Sequence, residues 1–324
     1  MPHTHGFVCG LAAHRRALPS KPPVKQFPPG WLFSRSLGGI GSAGFKYGSK
    51  RVLTISTGRK LEPAPAPVAG FDLAEALSNG RIEFCYEPKI DLSKKHLVGV
   101  EASARARHPQ DGVLMPSEFM PGAAEADLIA LSELALTRGL AASLNFAELG
   151  ANLPLAVNIP LAALAKMPVA DIVQTYRPHF AAWPGLTIEV REEEIIADVA
   201  LARDIAEKLK ALDVQLAIDD CGYDHAALAG LSNMAFAEFK LDGAFVADCA
   251  NDKFNSALCN SVIDLAHSLG KGATATGIEK AADAFALINM DCDCGQGFLL
   301  GRPMPEDRFI ELLRQRAATQ SGRV

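Results

Sequence analysis

From Phe71 onward, short apolar runs alternate with longer segments of helical periodicity, and this rhythm restricts the chain to helices packed on a largely parallel sheet. The runs are Ile82–Tyr86, Leu97–Val100, Leu155–Val157, Leu186–Ile188, Val214–Ile218, Phe236–Leu241, Gly272–Ala275 and Cys294–Leu299. Helical patterns fill Asp127–Phe146, Asp171–Phe180, Val199–Leu212, Asp252–Leu269, Ala281–Ile288 and Pro305–Arg316. About eight strands in roughly 250 residues predict a TIM-like α/β barrel, with an open doubly wound sheet as the alternative. Neither a G-x-G-x-x-G nor a G-x-x-x-x-G-K-[ST] loop follows the early runs, so a dinucleotide or P-loop site lacks its signature.

Residues 1–70 are different material. They carry 10 basic residues and one acid, with 9 of the 20 prolines and 10 of the 27 glycines, a composition that sustains neither a helix nor a central strand. A disordered basic arm with a Pro-Ala linker is expected there, a barrel domain at 71–318 and a short tail at 319–324. The remaining 254 residues hold 22 basic and 36 acidic side chains. Such a surface argues against general nucleic-acid binding, which needs a basic face. No run of 18 apolar residues occurs, so no membrane span is expected. Seven scattered cysteines in a chain this long point to reduced thiols in a cytoplasm rather than a disulfide framework.

The apolar runs end on chemistry. Leu97–Val100 leads into Glu101, Leu155–Val157 into Asn158, Leu186–Ile188 into Glu189 and Val214–Ile218 into Asp219 and Asp220; Lys240 lies within Phe236–Leu241. Any one acid after a strand is commonly the cap of the next helix. In a barrel, however, the strand ends share one mouth, so these oxygen groups converge although far apart in sequence. Carboxylates and an amide suit Mg²⁺, Mn²⁺ or Ca²⁺ better than zinc. Consecutive Asp219 and Asp220 could serve two adjacent cations, an arrangement suited to in-line phosphoryl displacement. Lys240 could place a water, or accept its proton if its pKa were depressed.

Several stretches then coincide with one family. Tyr86-Glu87-Pro88, Glu101-Ala102-Ser103-Ala104-Arg105, Val157-Asn158, Ile188-Glu189-Val190-Arg191-Glu192, Ile218-Asp219-Asp220, Phe239-Lys240-Leu241-Asp242, Thr276-Gly277-Ile278-Glu279, Gln296-Gly297-Phe298 and Arg302-Pro303-Met304 occur in order across residues 80–310. In this the chain resembles EAL-domain proteins. The resemblance implies a TIM-like barrel of the EAL type that binds the bacterial messenger cyclic di-GMP and, in active members, hydrolyses it to pGpG with Mg²⁺ or Mn²⁺. It implies that Glu101, Asn158, Glu189 and Asp219 hold metal, with Asp220 on a neighbouring ion, and that Lys240 orients or deprotonates the attacking water. Arg105 is then expected on phosphate, Asp242 on a guanine, Glu192 steadying the loop after the Glu189 strand, and Gln296 closing the pocket. A homodimer through the surface carrying Asp219–Ala227 is expected, with a protein partner as a further route for signalling.

Departures from the family pattern shape the functional expectation. Thr276 stands where a glutamate is usual, Glu87 replaces a glutamine, and Cys221–Ala227 keeps little of the usual loop, with Tyr223 and His225 expected as exposed loop-tip groups. The first reading is a domain that binds cyclic di-GMP with weak or absent hydrolysis. The second is a working phosphodiesterase in which Glu279 or a water replaces the lost ligand, and the third is an interaction module without nucleotide.

Overall fold

The computed structural model describes residues 68, 71–177, 183–224, 227–228 and 230–321. The expectations for the arm at 1–70, Val68 apart, and for His225 lie outside these residues. The helix α1 (Leu73–Ser78) precedes β1 (Ile82–Asp91), β2 (His96–His108), β3 (Gly112–Leu114), α2 (Pro116–Phe119) and the long α3 (Glu125–Glu148). Next come β4 (Leu155–Asn158), α4 (Leu161–Leu164), α5 (Val169–Tyr176), β5 (Leu186–Arg191), α6 (Glu192–Ala197), α7 (Val199–Lys210) and β6 (Val214–Cys221). The chain continues through β7 (Glu238–Leu241), α8 (Gly243–Val246), α9 (Lys253–Ser268), β8 (Gly272–Ala275), α10 (Ala281–Asn289), β9 (Cys294–Gly295), β10 (Met304–Pro305) and α11 (Glu306–Ser321). Each expected apolar run overlaps a strand, but β2 continues past Val100 to His108, so Glu101 lies within a strand and not at its end; α11 extends into the stretch expected as a tail. No helix among the described residues is long and apolar enough to cross a membrane.

Pairing runs β1-β2-β4-β5-β6-β7-β8-β9 and back to β1, so eight of the described strands close a ring. Neighbours from β2 to β9 are parallel, whereas β1 is antiparallel to both β2 and β9. The inversion follows from connection length. Only residues 92–95 join β1 to β2, enough for a hairpin turn and far short of a parallel crossover. The alternation along β1 then sends Tyr86 outward onto Phe146 of α3 and Phe309 of α11, with ring centroids 5.4 and 6.2 Å away, while Lys89 forms an ion pair with Glu238 of β7 across the barrel.

The outer layer is fixed by local chemistry. Asp72, Asp198 and Asp252 cap α1, α7 and α9 by accepting hydrogen bonds from the backbone N–H groups of Glu75, Leu201, and Phe254 with Asn255. Helix α9 lays Leu258, Cys259, Val262, Ile263 and Ala266 in the core. Gly139 allows α3 to rest directly on β4, because a Cβ there would lie 2.7 Å from Leu155 Cδ2.

Candidate active site

Acids from β2, β5 and β6 meet around one ammonium group. Lys240 of β7 is 1% exposed, and its Nζ lies 2.8 Å from Glu101 of β2, 2.6 Å from Glu189 of β5 and 3.7 Å from Asp219 of β6. Asn158 of β4 donates from Nδ2 to Glu101 at 2.7 Å and to Glu189 at 3.2 Å. Gln296, just past β9, donates to Glu101 at 3.0 Å. A pocket of about 160 Å³ opens over this cluster, lined by Glu87, Glu101, Asp219, Asp220, Lys240, Thr276, Gly277 and Gln296.

Two adjacent aspartates in a regular strand would point to opposite faces. Here the β6–β7 register shifts between Ile218 and Cys221, and Asp220 adopts φ +53°, so both carboxylates line the pocket. The left-handed backbone region is one that Asp tolerates better than most residues. Gly297 allows a second close approach: a Cβ at this residue would fall 2.2 Å from Ile278 N, and its absence lets Gln296 lie against the site.

Electrostatics follow from burying several acids with one base. Burial, the Glu101 charge and the Asp219 charge push the Glu189 carboxyl well above the ordinary range despite Lys240. Asp219 is raised mainly by burial. Burial together with Asp219 and Asp242 lifts Asp220 to about 7, and burial with Glu101 lifts Glu87 to about 7. Glu101 moves the other way: burial opposes its ionisation, but Lys240 and the donors from Gln296 and Asn158 outweigh it. Burial also opposes the Lys240 charge, yet Asp219, Glu101 and Glu189 hold its pKa well above the usual lysine range. Without a divalent cation, then, these carboxylates hold Lys240 as an ammonium, and the depressed pKa that proton acceptance would need is not found.

The donor set is that of a hard divalent cation: carboxylate oxygens in excess over a single ammonium, their pKa values raised first by burial and then by one another's charge. Gln296 is 2% exposed and its Oε1 is buried without a hydrogen-bond partner, a further free oxygen at the same place. Among the described residues no three Asp, Glu, His or Cys groups are already arranged to hold a metal ion. The carboxylates converge on Lys240 instead, and Asn158 must turn its amide by half a revolution to offer Oδ1 to a cation in the cluster. Asp220 and Glu87 are both lifted to about 7, so a divalent cation binding at the Asp219–Asp220 pair would compete with protons: Mn²⁺ affinity is expected to rise between pH 6 and pH 8, with proton release visible by calorimetry in buffers of different ionisation enthalpy. The same carboxyls bind protons more tightly in the folded than in the unfolded chain. Their contribution to stability therefore falls as pH rises from about 4 to 7. Asp220→Asn is expected to flatten that slope in melting curves recorded without cation.

Other predicted residues are placed differently. Arg105 is 8% exposed and donates to Ser103 Oγ at 2.9 Å and to the Ala104 carbonyl at 2.7 Å. Glu192 does not brace its own strand end. It accepts the N–H groups of Gly222, Tyr223 and Asp224 at 3.2, 3.0 and 3.2 Å, and so anchors the loop after β6. Asp242 caps α8 through the Ala244 N–H at 2.8 Å and accepts the Tyr223 hydroxyl at 2.5 Å. Tyr223 is 47% exposed, as expected of a loop tip, and is held by its backbone N–H on Glu192 and its hydroxyl on Asp242. Glu279 is exposed and does not line the pocket, so it does not stand in for a ligand lost at Thr276. Thr276 is at the pocket wall and donates its hydroxyl to the Leu241 carbonyl at 2.7 Å. Glu87 lines the pocket, as the resemblance implies for the glutamine it replaces.

Known proteins share this architecture. The EAL domain family matches residues 72–303. The cyclic di-GMP phosphodiesterase RocR of Pseudomonas aeruginosa is 31% identical over 255 residues, which is 78% of this chain and 65% of RocR. The bifunctional diguanylate cyclase/cyclic di-GMP phosphodiesterase MucR of the same organism is 31% identical over 242 residues, 74% of this chain and 35% of MucR. The chain therefore spans less than two thirds of either relative. Among solved structures, the PaMucR phosphodiesterase in its c-di-GMP complex matches with a TM-score of 0.67 at 30% identity, covering 74% of this chain and 98% of that one. The EAL domain of Xanthomonas citri FimX, at 19% identity, a TM-score of 0.63 and coverage of 72% and 92%, shares the fold. With the family match spanning well over half of its length and the strand-end carboxylates gathered at one barrel mouth, the chain belongs to the EAL-domain family.

Proposed function

We propose that this domain binds cyclic di-GMP and hydrolyses it weakly or not at all. The observation that carries the reading is the pocket itself: its acids and Lys240 are gathered, but Thr276 supplies a neutral hydroxyl already donated to the Leu241 carbonyl. Glu101, Asn158, Glu189, Asp219 and Asp220 are the residues that would hold Mg²⁺ or Mn²⁺. Such ions, when bound, supply Lewis acidity and a water nucleophile at neutral pH.

The chain's own groups do the rest. Lys240, kept charged, orients a water and offsets negative charge; Arg105 contacts a phosphate; Asp242 faces a guanine once the Tyr223 hydroxyl yields; Gln296 closes the pocket through its buried amide. Glu192 keeps the loop after β6 in place by its three backbone contacts. Dimerisation through the surface bearing that loop, and a protein partner that reads nucleotide occupancy, belong to the same proposal, as does a cytoplasmic setting.

The test uses the full chain. Calorimetric titration with cyclic di-GMP, with and without divalent cation, is expected to give saturable binding, and no heat at high micromolar ligand would overturn the reading. Incubation with Mn²⁺ and chromatography for pGpG is expected to show turnover far below that of RocR. Turnover within tenfold of RocR would instead establish a working phosphodiesterase.

A further inference from the structure

We propose that Glu87 is a cation-ligating residue of the pocket, supplying from β1 the carboxylate that the end of β8 lacks at Thr276. The inference rests on the reading of the pocket as a divalent-cation site.

Cross-strand register sets Glu87 of β1 directly opposite Glu101 of β2. Directly paired residues hold their Cβ atoms about 4.5–5.5 Å apart, and two like charges so placed destabilise a sheet unless something positive lies between or beside them. Lys240 and Arg105 meet that need only in part: both favour the charged form of Glu87, but the ion-pair partners of Lys240 are Glu101, Glu189 and Asp219. The Gly297 backbone N–H also favours the charged form of Glu87, but it brings no counter-charge. Glu87 lines the same small pocket as Asp219, Asp220 and Thr276.

A second observation points to a ligand at this place. Gln296, next to Gly297, is 2% exposed, and its Oε1 has no hydrogen-bond partner although it is buried at the pocket wall. Glu87, Asp220 and that amide oxygen are all hard donors, the chemistry of Mg²⁺ or Mn²⁺. Glu279, by contrast, is exposed and away from the pocket wall. A carboxylate is thus absent from β8 and present on β1 within one cavity. The ion can be retained while its position relative to Lys240 changes, which is consistent with binding that outlasts hydrolysis.

Mn²⁺ binding by the full chain, followed by electron paramagnetic resonance at pH 7.5 without nucleotide, tests the proposal. Glu87→Gln is expected to weaken Mn²⁺ binding by about tenfold or more, in the range seen when groups supporting a metal site are removed. Glu87→Asp is expected to weaken it less. The double variant Glu87→Gln with Thr276→Glu is expected to recover affinity to within threefold of the unaltered chain. Circular-dichroism melts establish that each variant is folded. Wild-type affinity in Glu87→Gln, no recovery in the double variant, or no Mn²⁺ binding by the unaltered chain would each overturn the assignment. Cyclic di-GMP titration of the same samples separates the two claims. Loss of Mn²⁺ in Glu87→Gln without nucleotide binding by any sample leaves this assignment standing and removes the functional reading; the converse removes this assignment alone.

Discussion

Replacing Lys240 by alanine is expected to lower the melting temperature by ten degrees or more in buffer free of divalent cations. The ammonium is buried among Glu101, Glu189 and Asp219, at 2.8, 2.6 and 3.7 Å. Removing one partner from a buried ionic cluster costs about 3–5 kcal/mol, because the charges left behind are neither hydrated nor paired. In a domain of this size each kcal/mol corresponds to roughly 2–4 °C. The carboxyls can escape part of the penalty by taking up protons, so the loss is expected to be larger at pH 8 than at pH 5.5. Millimolar Mn²⁺ should restore stability, since a divalent cation answers the same carboxylates. Lys240→Met, which keeps most of the stem volume, separates lost charge from lost packing. A melting temperature within three degrees of the unaltered chain at pH 8 would show that the cluster is not held together by this ammonium.

Thr276→Glu is expected to raise pGpG formation from cyclic di-GMP by about 10²–10³-fold, the scale associated with one preorganised electrostatic group. The residue lines the pocket and is half-buried, and its present hydroxyl is spent on the Leu241 carbonyl. A glutamate reaches further and adds charge on the wall facing Asp220. The gain should appear mainly in kcat, because ligand contacts elsewhere in the pocket are untouched. It should come with lower stability without cation, as another carboxylate joins an acidic cavity, and with a larger stabilisation by Mn²⁺. Turnover that stays flat while Mn²⁺ stabilisation grows would mean that the defect lies elsewhere, with the altered loop after β6 the next place to look.

Much of this molecule could be read from where apolar runs stop. The ends of β4 and β5 and the bulged end of β6 place Asn158, Glu189, Asp219 and Asp220 as the barrel argument requires, because strand order and strand polarity are both implied by a βα rhythm. What the rhythm does not encode is an exception to it. The short link between β1 and β2 was the available signal that β1 runs backwards. The sign of the Lys240 shift was equally hidden, since it depends on how many carboxylates reach one nitrogen and not on any residue type. Glu192 shows a third limit: its backbone partners lie 30 to 32 positions away, on the next strand's loop. Spacing along a chain cannot reveal a tether of that kind. Glu279 was a plausible carboxylate by proximity in sequence to Thr276, but past the turn at Gly277, with φ +66°, it is Ile278 that is buried and Glu279 that is exposed.

The closure of the ring has a kinetic meaning. Strands β1 and β9 pair through two residues on each side, Ile90 with Gly295 and Asp91 with Cys294, about two hundred positions apart. A hairpin of β1 and β2 can form early from local contacts, whereas this seam forms only after the intervening strands are ordered. Until then β1 and the growing sheet each present an open edge, able to recruit a strand from another chain. The short seam makes barrel completion the step at which folding and aggregation compete, and a substitution at Gly295, where a Cβ would lie 2.6 Å from Ile278 Cδ1 and 2.9 Å from Leu92 Cδ2, would act there first.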